Sequence, residues 1–459
     1  MITDKLLETA QRTVKHATRL KVDQVQAVAF LRDAALTRYA NSQIHQNVAT
    51  KSGGVSIKVV INKKIGTLRV NSLEKKQVEE AVKKALQIAK GTPPNQDFKS
   101  LPEPAKWTPI KNTFDKKTAE STPDYRAEEV KVAIDTAHAK SPLVKAVAGS
   151  FGIESLAFAI ANSLGVSAWA IISSTSFQTT VISKSRGSQG YGSAERYARK
   201  ISQIDPVKTA DEAADTSIKS INPSKIPVGD YQVILSARAT ATFMDFLGQI
   251  GFSATSYLDG QSFVKYNLNR QVFDDKLTVT DDPRDAKTLY AFPIDGEGVP
   301  KKRMQLIEKG RVSEESICYD SFTAGKEKGK KSTGHSLPPI LAHPYGERPM
   351  PFNLVVAPGD TTVEEMIGET KHGIFITRFH YTNPTEPTRA ILTGLTRDGT
   401  FLIEKGEISK PAMNLRYTDS MLSALKEIPM IGKKSETLQT TMTPALTLAK
   451  LRFTGTTQY

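Results

Sequence analysis

From residue 222 onward the chain breaks into short strand-forming runs divided by tight-turn pairs, an alternation that restricts its second half to a mostly antiparallel β architecture. The runs fall at 231–235, 277–279, 304–307, 353–356, 373–379 and 400–403. Asp295-Gly296, Lys309-Gly310, Asp398-Gly399 and Lys405-Gly406 punctuate them, and such pairs supply the positive φ that a tight turn needs. One helix is expected in this half, over 239–250.

The first half reads differently. Leu6, Leu7, Ala10, Val14 and Ala17 recur at helical spacing, so the chain opens with an amphipathic helix. A strand follows at 25–31, then one at 55–61 after a Gly53-Gly54 turn, paired through 62–64 with a strand at 65–70. Val78, Ala81, Ala85 and Ile88 mark one face of a helix that Gly91 stops. Pro93, Pro94, Pro102, Pro104, Pro109 and Pro123 crowd the next stretch, so 92–125 is expected to be a connection. A helix at 126–140, strands at 144–153, 156–162 and 167–182, and helices at 194–204 and 209–220 complete this half. The expectation is an α+β protein of two domains: an N-terminal α+β domain over 1–221, and a C-terminal, mostly antiparallel β-rich domain over 222–459. With 459 residues, the chain is too long for one ordinary core.

Charge and cysteine narrow the function classes. The net charge of +14 is spread along the chain, and its densest stretch, 326–331, is interrupted by Glu327 and Gly329 and carries no aromatics. A solvated basic surface or loop is the expectation, and nucleic acid is disfavoured as a partner. Cys318 is the single cysteine, which excludes a disulfide framework and a multi-cysteine zinc ribbon and reads as a small buried hydrophobe. No apolar run approaches the roughly 18 residues a membrane span needs, and the charged first turn lacks a signal-peptide core. A cytoplasmic protein is expected.

Catalytic signatures are missing. The seven histidines include no H-E-x-x-H pair, and His372 and His380 would lie roughly 26 Å apart in an ideal strand. There is no G-x-S-x-G elbow. Gly187, Gly190 and Gly192 could cradle a phosphate only between a strand and a helix N-terminus, so a glycine-rich loop is the plainer reading.

The specific signatures lie in the second half: 292–300 (FPIDGEGVP), 306–310 (LIEKG), 332–335 (STGH), 396–408 (TRDGTFLIEKGEI) and 414–420 (NLRYTDS). Together they resemble the TldD/PmbA family, also called TldD/TldE, named historically for modulators of DNA gyrase and regarded as zinc peptidase assemblies. The resemblance extends more weakly to 41–45 and 53–58. It implies that zinc-bearing members carry H-E-x-x-x-H on the helix after the strand matching 231–235, with a cysteine further on. In this chain the matching window holds Met244, Asp245 and Gln249, and no cysteine follows Cys318. Neither a thioether nor a neutral amide competes with imidazole for Zn²⁺.

The resemblance therefore implies a TldE/PmbA-like subunit without catalytic residues or a metal of its own, paired as a heterodimer with a TldD-like zinc-bearing subunit, and open to homodimerisation alone. The pair would enclose a channel for extended peptide. Candidate wall residues are Ser332, Thr333, Gly334, His335, Arg378, His380, Arg397 and Asp398; against this, 396–399 reads more readily as a turn holding a hairpin, and Arg378 reads also as the partner of a carboxylate. Two alternatives stand beside it: an active metallopeptidase with an atypical site built from His335, His372 or His380, and a basic DNA- or gyrase-associated regulator.

Overall fold

The structure, a computed structural model, describes residues 2–457 apart from Ala286 and Glu347; the side chains of His343, Pro344 and Tyr345 also lie outside the described residues. In the first half, β1 (Gln24–Ala40), β2 (Gln43–Ile61), β3 (Lys64–Val70), β4 (Val144–Asn162), β5 (Ser167–Ser185) and β6 (Ser188–Ala198) form one antiparallel sheet in the order β3-β2-β1-β4-β5-β6. These strands are longer than the sequence suggests. Gly53 and Gly54 do not turn the chain but pair with Leu31 and Phe30 inside β2, and a Cβ on Gly54 would sit 2.2 Å from the Val70 carbonyl. They are close-approach glycines.

Period-two burial gives the sheet two apolar faces. Ala27, Ala29, Val55, Ile57, Val59, Ala157 and Ala159 pack beneath α1 (Ile2–Arg19) and α2 (Lys75–Gly91). After the short turn of helix α3 (Lys116–Ala119), the helices α4 (Pro123–Lys140) and α5 (Pro206–Lys219) cover the other end through Tyr39, Phe151, Phe177 and Val181. Within 92–125, the expected connection therefore contains one short helix and the first residues of another, the latter started by Thr122 as N-cap and Pro123 at the first helical position.

The helix expected at 194–204 is absent: β6 runs through its first part, to Ala198, followed by a single 3-10 turn at Ile201–Gln203. Helix-forming composition is overridden by tertiary packing. Cβ atoms on Gly190 and Gly192 would lie 2.1 and 2.0 Å from the Ser217 and Ala213 carbonyls of α5, so this strand seats a helix directly on its backbone. The glycine run cradles α5, not a phosphate.

The second half holds two sheets. β7 (Gly229–Leu235), β11 (His372–Glu386), β12 (Ile391–Glu404), β13 (Glu407–Pro411), β14 (Leu415–Ser420) and β17 (Leu446–Thr456) run in the order β11-β7-β17-β14-β12-β13, and β11 also pairs with β12, closing five strands into a ring. Only β7 and β11 are parallel in this ring. A smaller sheet joins β8 (Val279–Asp281), β9 (Met304–Ile307), β10 (Leu354–Val356), β15 (Glu436–Leu438) and β16 (Thr441–Thr443).

Between the sheets lies α6 (Ala237–Gly251), capped by Ser236 through the Ala239 amide. Its Phe243 stacks on Phe379 with ring centres 4.7 Å apart. Phe292 and Ile294 pack on Phe158, Ile160 and Val166, so the second half covers part of the remaining face of the first sheet.

Candidate functional site

The α6 helix presents two faces. Phe243, Met244 and Leu247 are buried in the largest core cluster, whereas Arg238, Thr242 and Asp245 line a cleft of about 350 Å³. The window implied by the family resemblance is therefore divided. Met244 is 1% exposed and points away from the cleft, and Gln249 is half-buried outside the lining. The physical reason is helical geometry: adjacent positions are rotated by about 100°, so Met244 enters the core while Asp245 reaches the cleft.

Asp245 is the one member of the window that reaches the cleft. Its Oδ1 accepts hydrogen bonds from the hydroxyls of Thr440, at 2.8 Å, and Thr441. Burial pushes its carboxyl up to about 6, against the pull of these two hydroxyls. Around it stand Gln178 and the β6 residues Glu195 and Tyr197, together with Arg378 and Gln439. Arg238 Nε donates to Glu195 at 2.8 Å, and the Tyr197 hydroxyl accepts from Gln178 at 2.5 Å and from Gln439 at 3.2 Å. Burial raises the Tyr197 phenol, which stays protonated, and lowers the Arg238 guanidinium.

Arg378 donates from Nε to Asp398 at 2.8 Å. The stretch 396–399 does not form a hairpin turn: β12 continues through it, with Arg378 opposite Arg397 and Ile376 opposite Thr400. One extra residue sits in β12, with Asp398 at φ 53° and Gly399 at φ 124°. This is a β-bulge, a device that re-aims a side chain, and here it accompanies the turn of Asp398 toward Arg378. Arg397 and Asp398 also line a second hollow of about 990 Å³ with Arg186, Tyr191 and Asn222. His380, half-buried on β11, is lowered by burial and by the charges of Arg378 and Arg397.

The 332–335 segment departs from a channel wall. Ser332 and Thr333 both donate to the Tyr319 carbonyl, and Gly334 takes φ 78° with its Cβ position 2.9 Å from the Pro300 carbonyl. His335 is 1% exposed and lies 3.2 Å from Asp281. Burial lowers His335, whose Nε2 shares a hydrogen bond with Asp281 and whose Nδ1 shares one with the Thr333 hydroxyl. Asp281 also accepts the Phe352 and Asn353 amides at 2.8 and 2.6 Å. Burial opposes that charge, but these bonds together with Lys301 hold the carboxyl down at about 2. This is an interior brace between strand β8 and the segment at 335.

The three histidines of the alternative metal site have separate surroundings. His335 sits on Asp281 and His380 beside Arg378, while exposed His372 lies against Tyr231. Among the described residues no three His, Cys, Asp or Glu side chains are grouped to hold a metal ion. Cys318 is not part of the cleft lining and is buried in the core, with its amide bonded to the Phe252 carbonyl. The described residues therefore do not fit a zinc site.

What the sequence reading missed is the rest of the cleft, namely Gln178, Glu195, Tyr197, Arg238 and Gln439. One signal was available, a polar stripe of Arg238, Thr242, Asp245 and Gln249 at helical spacing along an otherwise apolar helix.

Residues 228–455 match the PmbA/TldA metallopeptidase C-terminal domain, and residues 116–221 match the PmbA/TldA metallopeptidase central domain. The chain belongs to the PmbA/TldD family. It is 25% identical to the metalloprotease PmbA of Escherichia coli O157:H7, over 98% of this chain and 96% of that protein. A metalloprotease TldD homolog of Buchnera aphidicola is 24% identical over 54% of this chain and 51% of its own length. The crystal structure of TldE from Thermococcus kodakarensis shares the fold with a TM-score of 0.89, at 19% identity, over 97% of this chain and 100% of that one. No helix among the described residues is long and apolar enough to cross a membrane.

Proposed function

We propose that this chain is a TldE/PmbA-like subunit without catalytic machinery of its own, which pairs with a TldD-like, zinc-bearing relative and helps enclose small or unfolded peptides for cleavage. The observation that carries this reading is the state of Asp245. At the place where the resemblance implies a metal centre stands one carboxylate, its Oδ1 taken by Thr440 and Thr441, with Met244 turned into the core. Without imidazole ligands beside it, such a carboxylate would have no metal-bound water to deprotonate.

The cleft suits binding. Tyr197 and Gln439 also line an adjoining groove of about 300 Å³ floored by Ala34, Leu36, Gly152 and Ser176. Small and polar floor residues let an extended backbone lie close, and the Gln178, Gln439 and Tyr197 groups offer hydrogen bonds that are indifferent to peptide sequence. Arg378 and Glu195 in the cleft lining supply charge. A cytoplasmic setting fits a chain whose single thiol, Cys318, is fully buried.

The test is metal content by mass spectrometry and peptide cleavage, measured on the untagged protein alone and after mixing with a TldD-like chain. Alone, it should carry no stoichiometric zinc and cleave nothing, while the mixture cleaves unfolded peptide in a chelator-sensitive manner. Stoichiometric zinc with chelator-sensitive cleavage by this chain alone overturns the proposal.

A further inference from the structure

The signature 292–300 has no part in the cleft, yet it is built with care. Gly298 takes φ 83° with its Cβ position 2.5 Å from Val166, and a Cβ on Gly296 would lie 2.4 Å from the Leu337 carbonyl, so the loop lies tightly on the first sheet. Asp295 accepts the amides of Glu297, Val299 and Ser336 and thereby fixes the loop. The fixed loop aims Glu297 into a separate cavity of about 320 Å³ between the first sheet and the second half of the chain.

Gln26 and Lys58 are directly opposite on β1 and β2 and both line this cavity. Gln26 is 5% exposed, and its Oε1 finds no hydrogen-bond partner among the described residues. A buried acceptor left unsatisfied is costly, and a hydrogen-bond donor on a ligand would satisfy it. Lys58 Nζ stands 3.9 Å from Glu297 Oε1, outside hydrogen-bonding reach, so both charges retain bonding capacity. Asp320 adds a second carboxylate, and Phe98 and Phe322 supply apolar wall.

We propose that this cavity binds a small zwitterion, a free α-amino acid or dipeptide with an apolar side chain. Its carboxylate would face Lys58 and its ammonium Glu297 and Asp320, with the Gln26 amide bridging and the side chain resting against Phe98 and Phe322. The volume is at the low end for ligand pockets and suits an occupant of that size. This site is distinct from the Asp245 cleft and does not rest on the subunit reading.

Isothermal titration calorimetry on the full chain tests it, with L-leucine, L-phenylalanine and the dipeptide Leu-Leu as probes. Saturable binding of at least one is expected, and Leu-Leu binding more tightly than leucine would identify short peptides as the source. Lys58→Met and Gln26→Leu should each weaken binding about tenfold or more. Gln26→Leu removes an unsatisfied amide and is expected to fold, which circular dichroism checks. Leucinamide and N-acetyl-leucine, each lacking one charge, should bind correspondingly less well. No heat from any probe at millimolar concentration overturns the proposal, as does binding that both variants leave unchanged.

Discussion

Replacing Asp245 with asparagine is expected to stabilise the protein at neutral pH. The carboxyl is held at about 6, against an ordinary value of 3.8, because burial penalises its charge more than the Thr440 and Thr441 hydroxyls favour it. At pH 7 the native state therefore holds an ionised group that the unfolded chain accommodates more easily. Two pKa units at ~1.4 kcal/mol each place the penalty on the order of 3 kcal/mol. The sign follows from proton counting. Between the unfolded and folded values the native state binds more protons than the unfolded chain, so the group's contribution is intact below the unfolded value and is lost as pH rises through about 6. Asparagine keeps the Oδ1 acceptor for both threonines and removes the charge. Urea denaturation of the two proteins at intervals from acid to mildly alkaline pH, followed by tryptophan fluorescence and far-UV circular dichroism, measures the difference. Asp245→Asn should gain little in acid, and its advantage should open through the region of pH 6 and level off above it. A difference independent of pH, or one that shrinks as pH rises, refutes the account of Asp245 as a buried carboxylate strained by its charge.

Two other outcomes follow from the same geometry. Arg378→Ala removes the hydrogen-bonded partner of the Asp398 carboxylate, whose side chain is 4% exposed, and leaves Arg397 at 3.6 Å beside it; it should destabilise the ring by about 1.5–3 kcal/mol, with much of the loss recovered in the Arg378→Ala/Asp398→Ala double variant, and denaturant titration of the two single variants and the double checks it. Gly192→Ala drives a methyl group into the Ala213 carbonyl of α5 and should cost about 1–3 kcal/mol by thermal melting, whereas Gly187→Ser, with open space around it, should cost less despite its positive φ.

The amino-acid sequence carried the local elements and part of their boundaries. The Lys309-Gly310 and Lys405-Gly406 pairs are tight turns with positive φ, as their residue types require. The α6 helix and the buried β7 strand stand where apolar spacing placed them, because periodic burial is written directly into the order of residues. The motifs at 292–300 and 396–408 were legible as signatures of the family, but their form was not. Asp398-Gly399 has the composition of a turn and becomes a bulge, since β11 supplies a partner strand on both sides of it.

Tertiary structure alone decided the site. Whether Met244 or Asp245 faces the cleft depends on which side of α6 the strand ring covers, and the ring is closed by β11 meeting β12 long after α6 in the chain. The cleft draws Gln178 and Tyr197 from one sheet, Arg378 from the ring and Gln439 from the smaller sheet's turn, positions whose proximity no local spacing encodes. His335, conspicuous in sequence, is a buried brace because Asp281 arrives opposite it. Local propensity and periodicity act over a few residues and fix elements, whereas the meeting of side chains from distant segments is set by how the sheets pack. The sequence by itself determined the two-part α+β plan and the family signatures; packing of the two halves determined which of those residues became a site.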